Sequence, residues 1–395
     1  MTSKDLSKVL RQNVRSYGMY IALVVIFAIF TILTNGLFIS SRNISNLLNQ
    51  MGYIAVLAVG MTLVIVIRHI DLSVGFLSGF LGAVAAMSLS IWHLPFLVTV
   101  LIVLVLGLAA GLITAYPVAR LGIPSFVASL AGWLIYRGAL LLITNRSGTI
   151  KINDDLFNAI GNGYIPDIPG SDVFFPGVHK ITLLLGLIAI VWMIVSQIRG
   201  RKAKQAYNFE VLPPDLFVIQ LVLLSVVLAL ITWVLAGYNG MSWTVVIVLV
   251  VVAVFHFVAT RTVLGRHIYA IGGNPEAAEL SGINVKKLIF IVFGAMGILC
   301  AIAGMLFASR LRSATTTAGT LFELDAIAAA YIGGVSAAGG VGKITGSLVG
   351  ALVYISLTSG MNLMGTDISF QYVVRGAVLA LAVIFDVATR RRRGK

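Results

Sequence analysis

Long apolar runs separated by short polar or basic breaks set the pattern of this chain. The runs fall at about residues 17–34, 51–67, 72–92, 94–116, 125–144, 181–197, 215–236, 242–259, 288–308, 344–363 and 371–387. A helix crosses a bilayer core with about 20 apolar residues, so each run predicts a membrane span. The Gly/Ala-rich segment from Glu323 to residue 341 is too short and interrupted for a simple span. Counted as a crossing, it brings the total to about 12 and places both termini on the cytoplasmic side. The predicted fold class is all-α, a polytopic integral membrane protein of about 10–12 transmembrane helices with discontinuous segments. It forms one transmembrane domain over residues 1–395.

The breaks carry their own signals. Asn43–Gln50 has Ile44, Leu47 and Leu48 at helical spacing with Asn46, Asn49 and Gln50 opposite, and it leads into the second span. Arg68–Gly75 is a charged break, followed by Gly75 and Gly79 in a spacing that permits close helix packing; Gly107 and Gly111 repeat it. Residues 145–178 hold Asn153, Asp154, Asp155, Asp167 and Asp172 with Pro166, Pro169 and Pro176, against only Arg146 and Lys151 as bases. That balance places the stretch outside, either as a landing surface for a soluble partner or as a solvated loop.

Residues 261–288 form the central cytoplasmic loop. Within it Asn274 suits a helix cap, Pro275 the first helical position and Glu276 the positive end of the dipole, while Gly282 is a left-handed stop. The resulting helix has about two turns, too few to be stable alone in water. Its weakly apolar residues Ala277, Ala278 and Leu280 suit a groove on another protein; an ordinary helical connector fits the same residues.

Composition agrees with the pattern: 59% apolar and 11% charged residues, with a mean hydropathy of +1.02. The net charge of +14 raises nucleic acid as a partner, but the placement of the bases excludes that reading. Four clusters hold 17 of the 28 Lys and Arg: Lys4 to Arg15, Arg199 to Lys204, Arg261 with Arg266, Lys286 and Lys287, and Arg390 to Lys395. Each borders an apolar run, so the bases set topology against a lipid bilayer. Cys300 is the single cysteine, which excludes an intramolecular disulfide. The basic, then apolar N-terminus resembles a signal peptide, but its run is long enough to span and no small-residue cleavage site follows; a retained first helix is expected.

Enzyme motifs are missing. Gly342–Thr345 imitates part of a phosphate loop, but Ile344 follows Lys343 and position 337 is alanine. The five histidines are scattered without metal-ligand spacing. No catalytic residue, metal or cofactor is expected on this chain. Ionisable residues at membrane depth are more informative, since each is costly unless paired or wet. They are Asp71, Arg137, Glu323, Asp325 and Arg375. Either Asp71, or Glu323 with Asp325, balances Arg137, or Asp71 caps its own helix with Ser73 beside it. A faint echo links Ile135–Ile143 (IYRGALLLI) with Val373–Ala382 (VVRGAVLALA), each after a small-residue segment opened by acid, as inverted repeats would be.

Taken together, His69–Gly75 (HIDLSVG), Gly265–Ile283 (GRHIYAIGGNPEAAELSGI), Thr317–Gly340 (TAGTLFELDAIAAAYIGGVSAAGG) and Gly342–Asp386 resemble the membrane permease of bacterial ABC importers for monosaccharides, the ribose, galactose and xylose group. The resemblance implies that Gly272, Gly273, Asn274, Pro275, Glu276, Ala277, Ala278, Leu280, Ser281 and Gly282 form a coupling segment on a separate ATPase, which carries ATP and magnesium. It implies a second permease copy, an extracytoplasmic sugar-binding protein and a path between the two copies in the bacterial cytoplasmic membrane. Asp71, Ser73, Arg137, Glu323 and Asp325 are then candidates for translocation or gating. Asn46, Asn49 and Gln50 offer the amides a sugar path needs, although an amphipathic polar face explains them equally. Ribose-type members are shorter; the extra outer loop and the transmembrane hairpin at 181–236 look more like the xylose or multiple-sugar subgroup. The rivals are a proton-coupled sugar carrier with Asp71 as relay, and an ABC permease for a branched-chain amino acid or nucleoside.

Overall fold

A computed structural model describes residues 14–145, 148–169, 176–207, 209, 211 and 213–391. The basic residues Lys4, Lys8, Arg11, Arg146, Arg392, Arg393 and Lys395, and the acid Asp172, lie outside them. The described residues form fifteen α-helices, one short 3-10 helix (Leu37–Ile39) and two very short strands. The helices are α1 (Val14–Leu33), α2 (Ser41–Val66), α3 (Val74–Ser90), α4 (Phe96–Leu121), α5 (Ser125–Asn145), α6 (Asp155–Asn162), α7 (Lys180–Ala206) and α8 (Pro214–Ala236). After them come α9 (Trp243–Arg261), α10 (Val263–Gly273), α11 (Pro275–Leu280), α12 (Val285–Leu311), α13 (Phe322–Ile332), α14 (Ile344–Leu363) and α15 (Ile368–Arg391). Strands β1 (Ile150–Lys151) and β2 (Ser313–Ala314) pair antiparallel. Among the described residues nine helices are long and apolar enough to cross a membrane, and Gly18–Leu33 and Val74–Ser90 are shorter apolar helices.

Three boundaries differ from the sequence expectation. Asn43–Gln50 is the first part of α2, and Asn49 is buried at 5% exposure, so the amides do not share one solvated face. The basic cluster at 199–204 is helical, because α7 continues to Ala206. Long basic side chains extend from a helix end into the headgroups without ending the helix. The polar stretch after α5 is also more than a solvated loop. Asp154 caps α6, its carboxylate accepting from Phe157 N at 2.7 Å, and Phe157 is fully buried. Ser309 near the end of α12 receives this helix: its hydroxyl donates to Phe157 O at 2.6 Å and accepts from Gly161 N at 2.8 Å.

The chain divides into two compact units. One comprises residues 1–38, 47–163 and 244–395. In it α12 packs along α3 and α4, α3 also packs on α5, and α13 packs on α14 and α15. Small residues let these backbones meet. A methyl on Gly107 of α4 would sit 2.5 Å from Gly297 O of α12, and one on Gly82 of α3 2.7 Å from Gly304 O. Packing through small residues is the usual solution where lipid removes the hydrophobic drive for helices to associate. Gly75 and Gly79 likewise lie against the backbone at Gly319 and Ala318.

The other unit comprises residues 39–46 and 164–243. Helices α7 and α8 pack on each other, and the Arg201 guanidinium lies 4.6 Å from the Phe217 ring centre. Leu187, Trp192 and Leu223 are exposed, as lipid-facing side chains are. His179 caps α7, accepting from Thr182 N at 3.2 Å.

Candidate functional site

Three successive caps shape the central loop. Thr262 Oγ1 accepts from Gly265 N at 3.1 Å at the start of α10, Asn274 Oδ1 from Ala277 N at 3.0 Å at the start of α11, and Asn284 Oδ1 from Lys287 N at 2.9 Å at the start of α12. Pro275 occupies the first turn of α11 with Glu276, and Gly282 has φ +84° just past its end. Ala278 is buried under the helix, whereas Glu276, Ala277, Ser281 and Gly282 are exposed and Leu280 is 90% exposed. A six-residue helix of this kind is too short to hold alone, and it stands here on its caps and on buried Ala278.

Gly272 and Gly273 do not belong to that outer face in the same way. Gly273 is exposed, but Gly272 is buried against Val66 O and the backbone of Gly340, where a side chain has no room. The segment between α13 and α14 therefore receives α10. Gly339 and Gly340 take φ of +80° and +71°, and Tyr269 donates its hydroxyl to Gly342 O at 2.7 Å. Gly339 and Gly340 make a backbone seat for Gly272 of α10, and Gly342, the glycine that imitated part of a phosphate loop, accepts from Tyr269 beside them. Asp386 of α15 anchors the same segment, accepting from Ala337 N at 3.1 Å. Tyr269 and Asp386 were not legible as site residues: Tyr269 stands near a glycine pair and Asp386 within an apolar run.

The membrane candidates separate into two groups. Asp71, 2% exposed, accepts from Ser73 N at 2.9 Å and Ser73 Oγ at 2.6 Å, closing the turn that enters α3. Glu323, 5% exposed, reaches the same helix start: a methyl on Gly75 would collide with its Oε2. A carboxylate there lies at the positive end of the helix dipole. Trp133 Nε1 donates to Glu323 Oε1 at 3.1 Å, while Oε2 has no partner among the described residues. Asp325, two residues on, points elsewhere. It accepts from the Tyr354 hydroxyl and lies 4.0 Å from Arg375 Nη1, beside a cavity of about 260 Å³ lined by Leu324, Tyr354, Tyr372, Arg375 and Leu379.

Of the two readings of the membrane charges, the surroundings of Arg137 speak against the ion pair. No acid lies within ion-pair distance of it among the described residues; its guanidinium lies 4.9 Å from the Phe76 ring centre and 5.8 Å from that of Trp133. Ring faces hold an arginine where no carboxylate is within reach. Asp71 instead makes the local turn at the helix entrance. Asn46 and Gln50 are half-buried along α2. Among the described residues no group of three His, Cys, Asp or Glu could hold a metal ion, and Cys300 is buried.

A family model described as the permease component of the branched-chain amino acid transport system matches residues 43–383. The chain is 39% identical to the xylose transport system permease protein of Haemophilus influenzae, over 96% of this chain and 98% of that protein. It is 41% identical to the xylose transport system permease protein of Escherichia coli K12, over 99% of this chain and 96% of that protein. To the ribose import permease protein of the same strain it is 36% identical, over 93% of this chain and 92% of that protein. No solved structure matches.

Proposed function

Because the chain belongs to the family of branched-chain amino acid transport system permease components, we propose that it is the membrane subunit of an ATP-driven importer whose cargo is a monosaccharide, xylose or a related pentose or hexose. The near full-length 41% identity to a permease named for xylose carries this reading. The energy comes from a separate ATPase, which binds ATP and magnesium, and no covalent chemistry occurs on this chain. The exposed face of α11, with Glu276, Ala277, Leu280, Ser281 and Gly282, docks on that ATPase. Gly272, Gly273, Asn274, Pro275 and Ala278 set the angle at which it is presented. An extracytoplasmic binding protein delivers the sugar, and a second copy of this chain completes the path. The chain lies in the bacterial cytoplasmic membrane with both termini inside. The turn of Asp71 and Ser73, with Glu323 and Arg137 around it, and the Asp325 cavity form the translocation and gating core, with Asn46, Asn49 and Gln50 as further polar positions.

The test is purification of the tagged chain in mild detergent from its native cell. An ABC ATPase identified by mass spectrometry should co-purify, and Glu276→Lys with Leu280→Lys should lose it while the membrane level of the chain stays unchanged. A chain that purifies alone and takes up sugar in vesicles on a proton gradient would be a secondary carrier. The family's description favours a second cargo, a branched-chain amino acid. Labelled xylose uptake blocked by unlabelled xylose and not by leucine decides for the sugar.

A further inference from the structure

Arg68 ends the α2 side of the break in the left-handed region, at φ +66°. A residue with a side chain seldom keeps that conformation unless its surroundings hold it there. Here the guanidinium is held: Nε donates to Gly272 O at 2.8 Å and Nη2 donates to Gly273 O. Those carbonyls are the last of α10, left without helical partners at the negative end of its dipole, where a cation is favoured. The backbone closes the same joint. Gly340 N donates to Val66 O at 2.9 Å, and Gly272 leaves no room between them for a side chain. Two residues beyond Arg68 the chain is tied again, Ile70 N donating to Ser125 Oγ at 3.1 Å, and one residue later Asp71 closes its turn on Ser73. The break is thus a short strap with one end fastened to α10 and the other opening α3.

We propose that Arg68 is the positioning residue that couples the docking pair α10–α11 to the Asp71–Ser73 turn at the start of α3. When α11 is pulled or released, the Arg68 fork makes residues 66–73 follow, and with them the helix entrance beside Glu323. Arginine suits this task because its planar fork engages two successive carbonyls, whereas an ammonium would engage them as a point charge. The proposal rests on the reading that α11 docks an ATPase.

The experiment uses the whole importer, purified through a tag on this chain and reconstituted in liposomes with its binding protein, and reads D-xylose moved per ATP hydrolysed. Arg68→Gly removes the fork while accepting φ +66° without strain. Its ratio should fall about tenfold, the loss expected for charge-assisted hydrogen bonds, with the ATPase still bound. Arg68→Lys, which keeps a donor, should fall between the two. An unchanged ratio in Arg68→Gly overturns the proposal, even if the variant melts earlier, because lower stability alone marks a structural brace. A glycine variant that sheds the ATPase also overturns it, since Arg68 would then only shape the dock. If Arg68→Gly does not insert, Arg68→Lys decides by the same ratio: reduced supports coupling, unchanged overturns it. Failure of the docking reading is separately visible, because the wild-type chain would then purify without an ATPase, and the proposal would fall with it.

Discussion

Arg137 and Arg375 occupy the same local sequence, Arg-Gly-Ala before an apolar run, in helices that pack in parallel ways: α5 on α3, and α15 on α13. Their ways of holding a cation at membrane depth differ, with Arg375 half-buried and Arg137 exposed on its helix. Arg375 faces the carboxylate of Asp325 at 4.0 Å and lies 5.8 Å from the Tyr354 ring centre. Arg137 has only the rings of Phe76 and Trp133. The motif around the arginine is shared, so the neighbouring helix decides the partner. The first turn of α13 presents Asp325, and that of α3 presents Phe76. A carboxylate neutralises the charge but must itself be satisfied, whereas a ring attracts it weakly and adds no charge of its own.

Breaking the acidic site should have the largest effect. Arg375→Leu leaves the Asp325 carboxylate, 6% exposed, with the Tyr354 hydroxyl alone. Removing one partner of a buried pair costs roughly 3–5 kcal/mol, and with Arg375 25% exposed the low end, about 3 kcal/mol, is expected, read as a lower thermal midpoint and membrane yield of the purified chain. The double exchange Asp325→Arg with Arg375→Asp should recover most of that loss. The corresponding exchange of Asp71 and Arg137 should recover nothing, since those two groups are not partners in the structure. Trp133→Phe comes next. It keeps a ring beneath Arg137 but removes the side-chain donor to Glu323, at about 1–3 kcal/mol by the same thermal readout. Arg137→Leu should cost least of the three, about 0.5–1 kcal/mol, because a ring contact is all it loses. If Arg137→Leu matched Arg375→Leu, the contrast between the two sites would be wrong.

A carboxylate outside the membrane sharpens the comparison through pH. Slight burial raises the pKa of Asp167, but backbone N–H groups of Lys180, Ile181 and Ile168, with His179 nearby, outweigh it and hold the carboxyl at about 2. Its folded pKa lies below the ordinary carboxylate value, so its stabilisation is full above about pH 4 and is lost as pH falls towards 2. Thermal midpoints taken across that window should show a small acid loss that Asp167→Asn abolishes and that Arg137→Leu leaves in place.

Much of the candidate site was legible because its signals are local. Asn274, Pro275 and Gly282 announce a capped two-turn helix through chemistry that acts within a few residues, and the structure forms it there. Gly75 and Gly107 announce close packing, though not against which helix. The seat for α10 was not legible. It joins residues near positions 66, 272 and 340, which lie far apart in the chain. Whether Asp71 pairs with Arg137 or serves its own helix start was left open for a related reason: charge alone points to an acid, but only packing shows whether an acid or a ring is within reach.

By itself the sequence determined that this is an all-α membrane chain, where most of its breaks fall and which short helix stands between α10 and α12, because apolar length, basic flanks and cap residues act along the chain. Tertiary structure alone decided which charges meet, which glycines are seats and which amides are buried. Those depend on distances between residues up to a few hundred positions apart, such as Arg68 and Gly272, which no local pattern records.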